Sequence, residues 1–358
     1  MYLWEEFFGA EVRHEFAMAA RLGLTDIRVN LVWNDFQPSG DRVAASAMRN
    51  LELLLDLAAE NGLGVQLALF PVVVHGRVWL PYWLLDPLST SSSTIISGRS
   101  VSRRRARDLF SADLVVSAEH RQVREVMGTF DAHPAVVDWV LGDRLTSVSR
   151  PESATAYADW LGAIAEIARD SRALKPLWHG VSSADLIRSA AFEPAAFGEV
   201  GVRLVVTGDW SPAWRRWDAP GWAGFLAGYA SRLTGSPVLL GGFEGGPRTN
   251  WPPALHVSQD AINETHMAGA AGCIAGDLFV YAENLRGAPP FDQRPGALQC
   301  GLLDLQGEPT EAGNHWLDAA GQRQSVVPIP SMIPLIESSV RQRDPERAAR
   351  EVYESMLA

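Results

Sequence analysis

An α/β fold built on a parallel sheet is what this sequence predicts, and three observations carry the prediction. Amphipathic segments of helical length alternate with short β-branched runs along most of the chain. Glycines stand where the helices should stop, as at Gly23 and Gly62. With 358 residues, 47% hydrophobic and 20% charged, the chain is long and apolar enough for one large soluble core.

Taken in order, Glu11 to Leu22 sets Val12, Phe16, Ala19 and Ala20 at helical spacing. Asp26 to Trp33 then reads as a strand. Met48 to Asn61 is a Leu-rich helix, and Val65 to Phe70 is the next strand. Glu119 to Phe130 is a helix leading into the apolar run Val136 to Leu141, which lies between Pro134 and Gly142 and reads as a buried strand. Ser153 to Arg169 is a further helix. Lys175 to Val181, Val202 to Thr207, Pro237 to Gly241 and Gly272 to Val280 complete seven strands. This rhythm predicts parallel strands with right-handed crossovers. An eighth, first strand is nearly missing, since only Tyr2 to Trp4 could supply it, and something should cover the edge it leaves.

Two segments leave the pattern. Ser89 to Asp108 is rich in Ser and Arg, with five arginines between Arg99 and Arg107, and reads as a long mobile loop or an anion-contacting lid. From Val326, Pro328, Pro330 and Pro334 break regularity before a terminal helix at Asp344 to Leu357. The expected organisation is therefore a barrel over 1–325 and a C-terminal extension over 326–358.

Composition narrows the partners. A net charge of −11 disfavours nucleic acid and anionic membranes. No apolar run reaches the roughly 18 residues of a membrane span. Met1 is followed closely by Trp4, Glu5 and Glu6, so no signal peptide is visible and a cytoplasmic location is the default expectation. Cys273 and Cys300 make no disulfide framework, and Cys273 is expected as a buried thiol. The eight histidines lack metal-ligand spacing, so no metal or other cofactor is expected.

The strand from Val136 ends at Gly142-Asp143-Arg144 and so delivers two charges to the end of a sheet where parallel α/β folds carry chemistry. With it come Leu22-Gly23-Leu24, Trp33 to Pro38, His75-Gly76, Leu80 to Trp83, Ser236 to Leu240, Pro289 to Asp292, Gly301 to Leu303 and Gly307 to Pro309. In this order the motifs resemble glycoside hydrolase family 5, the cellulase and β-mannanase type of (β/α)8 barrel, from about Trp4 to Gln322. The resemblance implies a TIM barrel, here short of its first strand, and an oligo- or polysaccharide ligand.

It also implies two carboxyl groups, an acid/base and a nucleophile about 5 Å apart. Arg144 stands where the family's acid would be, and a guanidinium gives up no proton near neutral pH. Asp143 takes the place of the neighbouring Asn. An ungapped alignment sets Gly242 at the nucleophile, with Glu244 two residues on unless a bulge retracts it. Gly208-Asp209-Trp210 replaces the family's H-x-Y, and Ile274 to Asp277 replaces its eighth-strand Trp. The residues left to bind substrate are Arg28, Trp33, His75, Trp83, Arg144, Asp209 and Trp210, with Arg144 expected to pair with Asp143, Asp209 or Glu244.

The expected function is a glycoside-hydrolase-like barrel that has lost retaining hydrolysis and is kept for carbohydrate binding or as a scaffold. The first alternative is an active β-glycosidase using Glu244 and Asp143. The second is a structural or assembly protein, meeting a partner through the C-terminal extension or the incomplete first strand.

Overall fold

The computed structural model describes residues 4–98, 100–171, 174–190, 192–215, 220–245, 255–289, 291–292, 294–322, 327–328, 333–334 and 338–357. The chain forms two compact units, Met1–His179 and Gly180–Ala358.

In the first unit the order is α1 (Gly9–Arg21), β1 (Asp26–Leu31), α2 (Trp33–Phe36), α3 (Ala45–Glu60), β2 (Gly64–Pro71), β3 (Val73–Val74), β4 (Arg77–Trp79), β5 (Ile95–Ser97), β6 (Ser100–Ser102), α4 (Asp113–Phe130), β7 (Val136–Asp143) and α5 (Ala154–Asp170). β1 pairs with β2, and β2 with β7, all parallel. Each helix buries one apolar stripe, such as Leu51, Leu54, Leu55 and Ala58 on α3, which gives the driving force for the layer. β8 (Leu177–Ser182) runs across the junction of the units.

The second unit continues with α6 (Ser183–Arg188), α7 (Ala195–Glu199), β9 (Arg203–Thr207), α8 (Trp222–Thr234), β10 (Leu239–Glu244), β11 (Leu255–His256), α9 (Gln259–Met267), β12 (Gly272–Ala275), β13 (Asp277–Phe279), β14 (Gly301–Leu303), α10 (Glu311–Gly321), α11 (Ser338–Arg343) and α12 (Pro345–Leu357). β10 is its hub, parallel to β9, β11 and β12.

Several expectations are corrected. The first strand does not begin at Trp4, which opens a short 3-10 turn; Tyr2 and Leu3 lie outside the described residues. The indole of Trp4 donates to the carbonyl of Asn30 at 3.2 Å, so this turn is what covers the β1 edge there. β1 ends at Leu31, because Trp33 already starts a helical turn that accepts the amide of Gln37. The run from Gly272 is two strands: after Ala275 the Gly276 amide bonds to Phe243, and β13 pairs with β14 instead.

Ser89 to Asp108 is not a loose loop. It holds β5 and β6, and residues 103–107 are laced to 84–91 by backbone bonds from Ser91 to Arg103, Asp86 to Arg105 and Arg107 to Leu84. Arg99 lies outside the described residues.

The C-terminal extension falls partly outside them as well, at 326, 329–332, 335–337 and 358. Its helices pack within their own unit. α12 buries Ala348, Ala349, Val352 and Tyr353, and Arg341 on α11 is 1% exposed, donating to the carbonyls of Phe192, Leu186 and Ser189.

Candidate functional site

Charge collects at the C-terminal ends of two strands, one in each unit. In the first unit, β7 is driven inward by Trp139, Val140 and Leu141, all fully buried. The strand then turns sharply. Gly142 has φ +82°, and a Cβ there would lie 2.9 Å from the Leu145 side chain, so only glycine fits. Arg144 is left-handed too, at φ +56°, a conformation that costs a residue with a Cβ about 1 kcal/mol.

The turn places Asp143, 3% exposed, between two guanidiniums. Its Oδ2 lies 3.3 Å from Arg28 and 3.5 Å from Arg144. Burial alone would raise this carboxyl, but Arg28, then Arg144, outweigh it and hold it below the usual carboxylate range. Arg144 also donates from Nη2 to the carbonyl of Val73 at 2.5 Å. Below this cluster, His179 donates from Nδ1 to the carbonyl of Leu141 and accepts from the Tyr157 hydroxyl at 2.6 Å. Burial pushes the imidazole down to about 4, so it is neutral across the physiological range.

Asp138, five residues before Asp143 on β7 and in register with Gln66, is lifted to about 6 by burial. The sign follows from linkage. A carboxyl raised above its unfolded value of about 3.9 favours folding fully below that value, and this contribution is lost as pH rises through 6. Asp138→Asn is expected to stabilise the chain by about 1 kcal/mol at pH 7.5 and not at pH 4. Melting curves at the two pH values check it; equal effects at both would refute the assignment.

In the second unit, the register between β10 and β12 shifts between Gly241 and Phe243. Gly242 is the bulged residue, at φ +85°, and a Cβ there would lie 3.1 Å from the Gly208 amide nitrogen. Phe243 therefore stands one ladder step beyond Gly241, and Glu244 ends the strand one step nearer than its sequence number implies. Glu244 is paired and hydrogen-bonded to Arg294, and the Cys300 thiol lies 3.8 Å from its Oε2. Burial first, then Glu244, pushes that thiol up to about 12, so it stays protonated. Cys300 is buried and Cys273 half-buried; both are free thiols.

Asp209 follows β9 and accepts from the Ser182 hydroxyl at 2.6 Å, with the Ser183 hydroxyl at 3.4 Å. Trp210 is held by Ser183 and carries Arg188 over its ring at 5.1 Å.

Of the expected binding residues, Arg28 and Arg144 are brought together, on either side of the catalytic candidate Asp143. Trp33 is corrected: it is fully buried, its Nε1 donates to Gln37, and its ring packs edge-on against Trp83, so it offers no face to a sugar. Trp83 is half-buried, its Nε1 donating to the Gln37 carbonyl. His75 sits half-buried in the turn between β3 and β4 at φ +50°. The residues that sequence reasoning missed are Arg294, Cys300, His179 and Tyr157. No spacing signal could have joined Glu244 to an arginine 50 residues away. Among the described residues no cluster of His, Cys, Asp and Glu could hold a metal ion, and no helix is long and apolar enough to cross a membrane.

Among solved structures, the chain is similar to GH5_18 from Streptomyces cattleya in complex with Manβ1-4GlcNAc (TM-score 0.78) and with GlcNAc (TM-score 0.77). Identity is 18% in both, over 98% of this chain and 86% and 85% of those chains. It is also similar to an exo-β-1,4-mannosidase from Opitutaceae bacterium strain TAV5 (TM-score 0.69, 18% identity), covering 89% of this chain and 56% of that one. No family model matches the sequence, and no curated protein does. These likenesses show the fold: an α/β (β/α)8 barrel of the kind found in glycoside hydrolase family 5, as the motifs imply.

Proposed function

We propose that this glycoside-hydrolase-like barrel binds carbohydrate and does not carry out retaining hydrolysis by the two-carboxylate route. The observation that carries the reading is the ion cluster at the end of β7. Departure of a sugar needs a proton donor on the leaving oxygen. Arg144 gives up no proton near pH 7, and Asp143 is held ionised by Arg28 and Arg144 on either side of it. Arg28, which in the family resemblance supports the nucleophile, is engaged with Asp143, and Glu244 has taken Arg294 as its partner.

The ligand class favoured is a short β-1,4-linked oligosaccharide with a mannosyl unit, because the similar structures include a Manβ1-4GlcNAc complex and an exo-β-1,4-mannosidase. Incubation of the chain and of Glu244→Gln with such a panel is expected to release no sugar from either. Calorimetry is expected to show saturable binding by both. Turnover by the parent chain that Glu244→Gln abolishes would overturn the reading.

One observation favours a second reading, an active β-glycosidase. The bulge at Gly242 brings Glu244 to the end of β10, where a nucleophile is wanted. That reading needs Asp143 protonated, which its two guanidiniums oppose. Its signature is a kcat/KM that rises as the pH falls into the carboxyl range.

A further inference from the structure

We propose that the segment Arg103–Arg107 binds the acidic substituent, carboxylate or sulfate, of a short oligosaccharide. The proposal rests on the carbohydrate-binding reading above and adds to it the charge of the ligand.

Four arginines fall within five residues, and the segment that carries them is fixed. Its backbone is tied to residues 84–91 along its length, with a further bond from the Arg105 amide to the Ser89 hydroxyl at 2.9 Å and a bridge between Leu85 and Ala106. In an extended segment alternate side chains share a face and repeat roughly every 6.6 Å. Arg103, Arg105 and Arg107 are thereby lined up on one side, with Arg103 and Arg105 exposed.

Their charge is not neutralised. Among the described residues, none of Arg103, Arg104, Arg105 and Arg107 has a carboxylate within ion-pair range. Surface arginines elsewhere, such as Arg13, Arg286, Arg347 and Arg350, each pair with a glutamate. The nearby carboxylates are turned to other work: Asp86 accepts from the Leu88 amide, and Asp108 from the Phe110 amide and the Ser111 hydroxyl. Arg105 spends Nε on the carbonyl of Thr90, and Arg107 spends Nε on that of Trp83, which aims both forks and leaves their terminal nitrogens for a ligand. Arg103, Arg105 and Arg107, three unneutralised cations on one side of a pinned segment in a chain of net charge −11, form a local oxyanion site.

Two features select a glycan over another polyanion. Tyr82 is 62% exposed beside the segment, and Arg104 lies 5.3 Å from its ring centre while donating to its hydroxyl at 2.7 Å. Besides the face that Arg104 covers, Tyr82 thus offers exposed aromatic surface of the kind that stacks on sugar rings. The range of the field gives the other feature. Charge is screened over about 8 Å at physiological ionic strength. A ligand of a few sugar units feels only the arginines, whereas a long nucleic acid or a membrane meets the acidic remainder of the surface.

Calorimetry on the full chain at 20 mM and 300 mM salt tests this with four probes: a β-1,4-linked mannuronate tetramer, a sulfated oligosaccharide of the same length, neutral mannotetraose and a single-stranded tetranucleotide. At least one acidic sugar is expected to bind ten-fold or more tighter than mannotetraose at low salt. That advantage should vanish at high salt and in Arg103→Ser/Arg105→Ser, whose melting temperature serves as the folding control. Binding of the mannuronate alone assigns a carboxylate, of the sulfated probe alone a sulfate, and of both an unselective oxyanion site. An acidic sugar no tighter than the neutral one, no effect of the double substitution, or a tetranucleotide bound as well as the sugars would each overturn the proposal. Failure of mannotetraose to bind, with acidic sugars still bound, would remove the neutral ligand named under the proposed function and leave this site standing.

Discussion

Asp143→Ala is expected to destabilise the chain by about 3–5 kcal/mol, more than any other single change at the strand ends. The carboxylate is 3% exposed and lies between Arg28 and Arg144, whose side chains are only 13% and 15% exposed. Its removal leaves two like charges facing each other out of water. Because Arg144 already occupies a left-handed backbone position, it has little freedom to swing away. Urea titration followed by tryptophan fluorescence reads the effect. A loss below about 1 kcal/mol would mean that solvent, not Asp143, neutralises the pair. Replacing Asp143 and Arg144 together by leucines should cost less than Asp143→Ala alone, since one of the stranded charges goes with its partner.

Tyr353→Ala should cost about 3–5 kcal/mol as well, by a different mechanism. Its ring lies 5.8 Å from that of Trp214, 5.5 Å from Trp222 and 5.2 Å from Phe225, and its hydroxyl donates to the carbonyl of Pro220 at 2.9 Å. This cluster fastens α12 to α8. Truncation leaves a cavity among three aromatic rings and one carbonyl without its donor. The variant should melt earlier, and limited proteolysis should cut first near the extension. Unchanged melting and an unchanged digestion pattern would show that α12 is held by its ion pairs instead.

How much of this was legible in the sequence depends on range. The helix stripes and their glycine stops are local, and α1, α3 and the parallel strands lie within a few residues of where periodicity puts them. The Asp143–Arg144 contact was legible only as one of three pairings, with Asp209 and Glu244 the others, because the sequence does not say which strand ends lie near Arg144. Arg28 as the third member was not, since its pairing comes from strands brought together by the sheet. Trp33 misled for the opposite reason: its motif position suggests a cleft, while the helical turn after β1 rotates it into the core. Glu244 was half-legible. The paired glycines signalled a bulge, but only the ladder with β12 shows where the extra residue is absorbed, and Arg294 arrives from a segment with no spacing signal at all.

The bulged glycine bears on how this lineage could change. Position 242 combines φ +85° with a neighbouring backbone nitrogen 3.1 Å from any added Cβ. A glutamate there would hold a strained backbone and crowd that nitrogen. A carboxylate is thus disfavoured at position 242, and Glu244 is the acidic residue that β10 carries to its end.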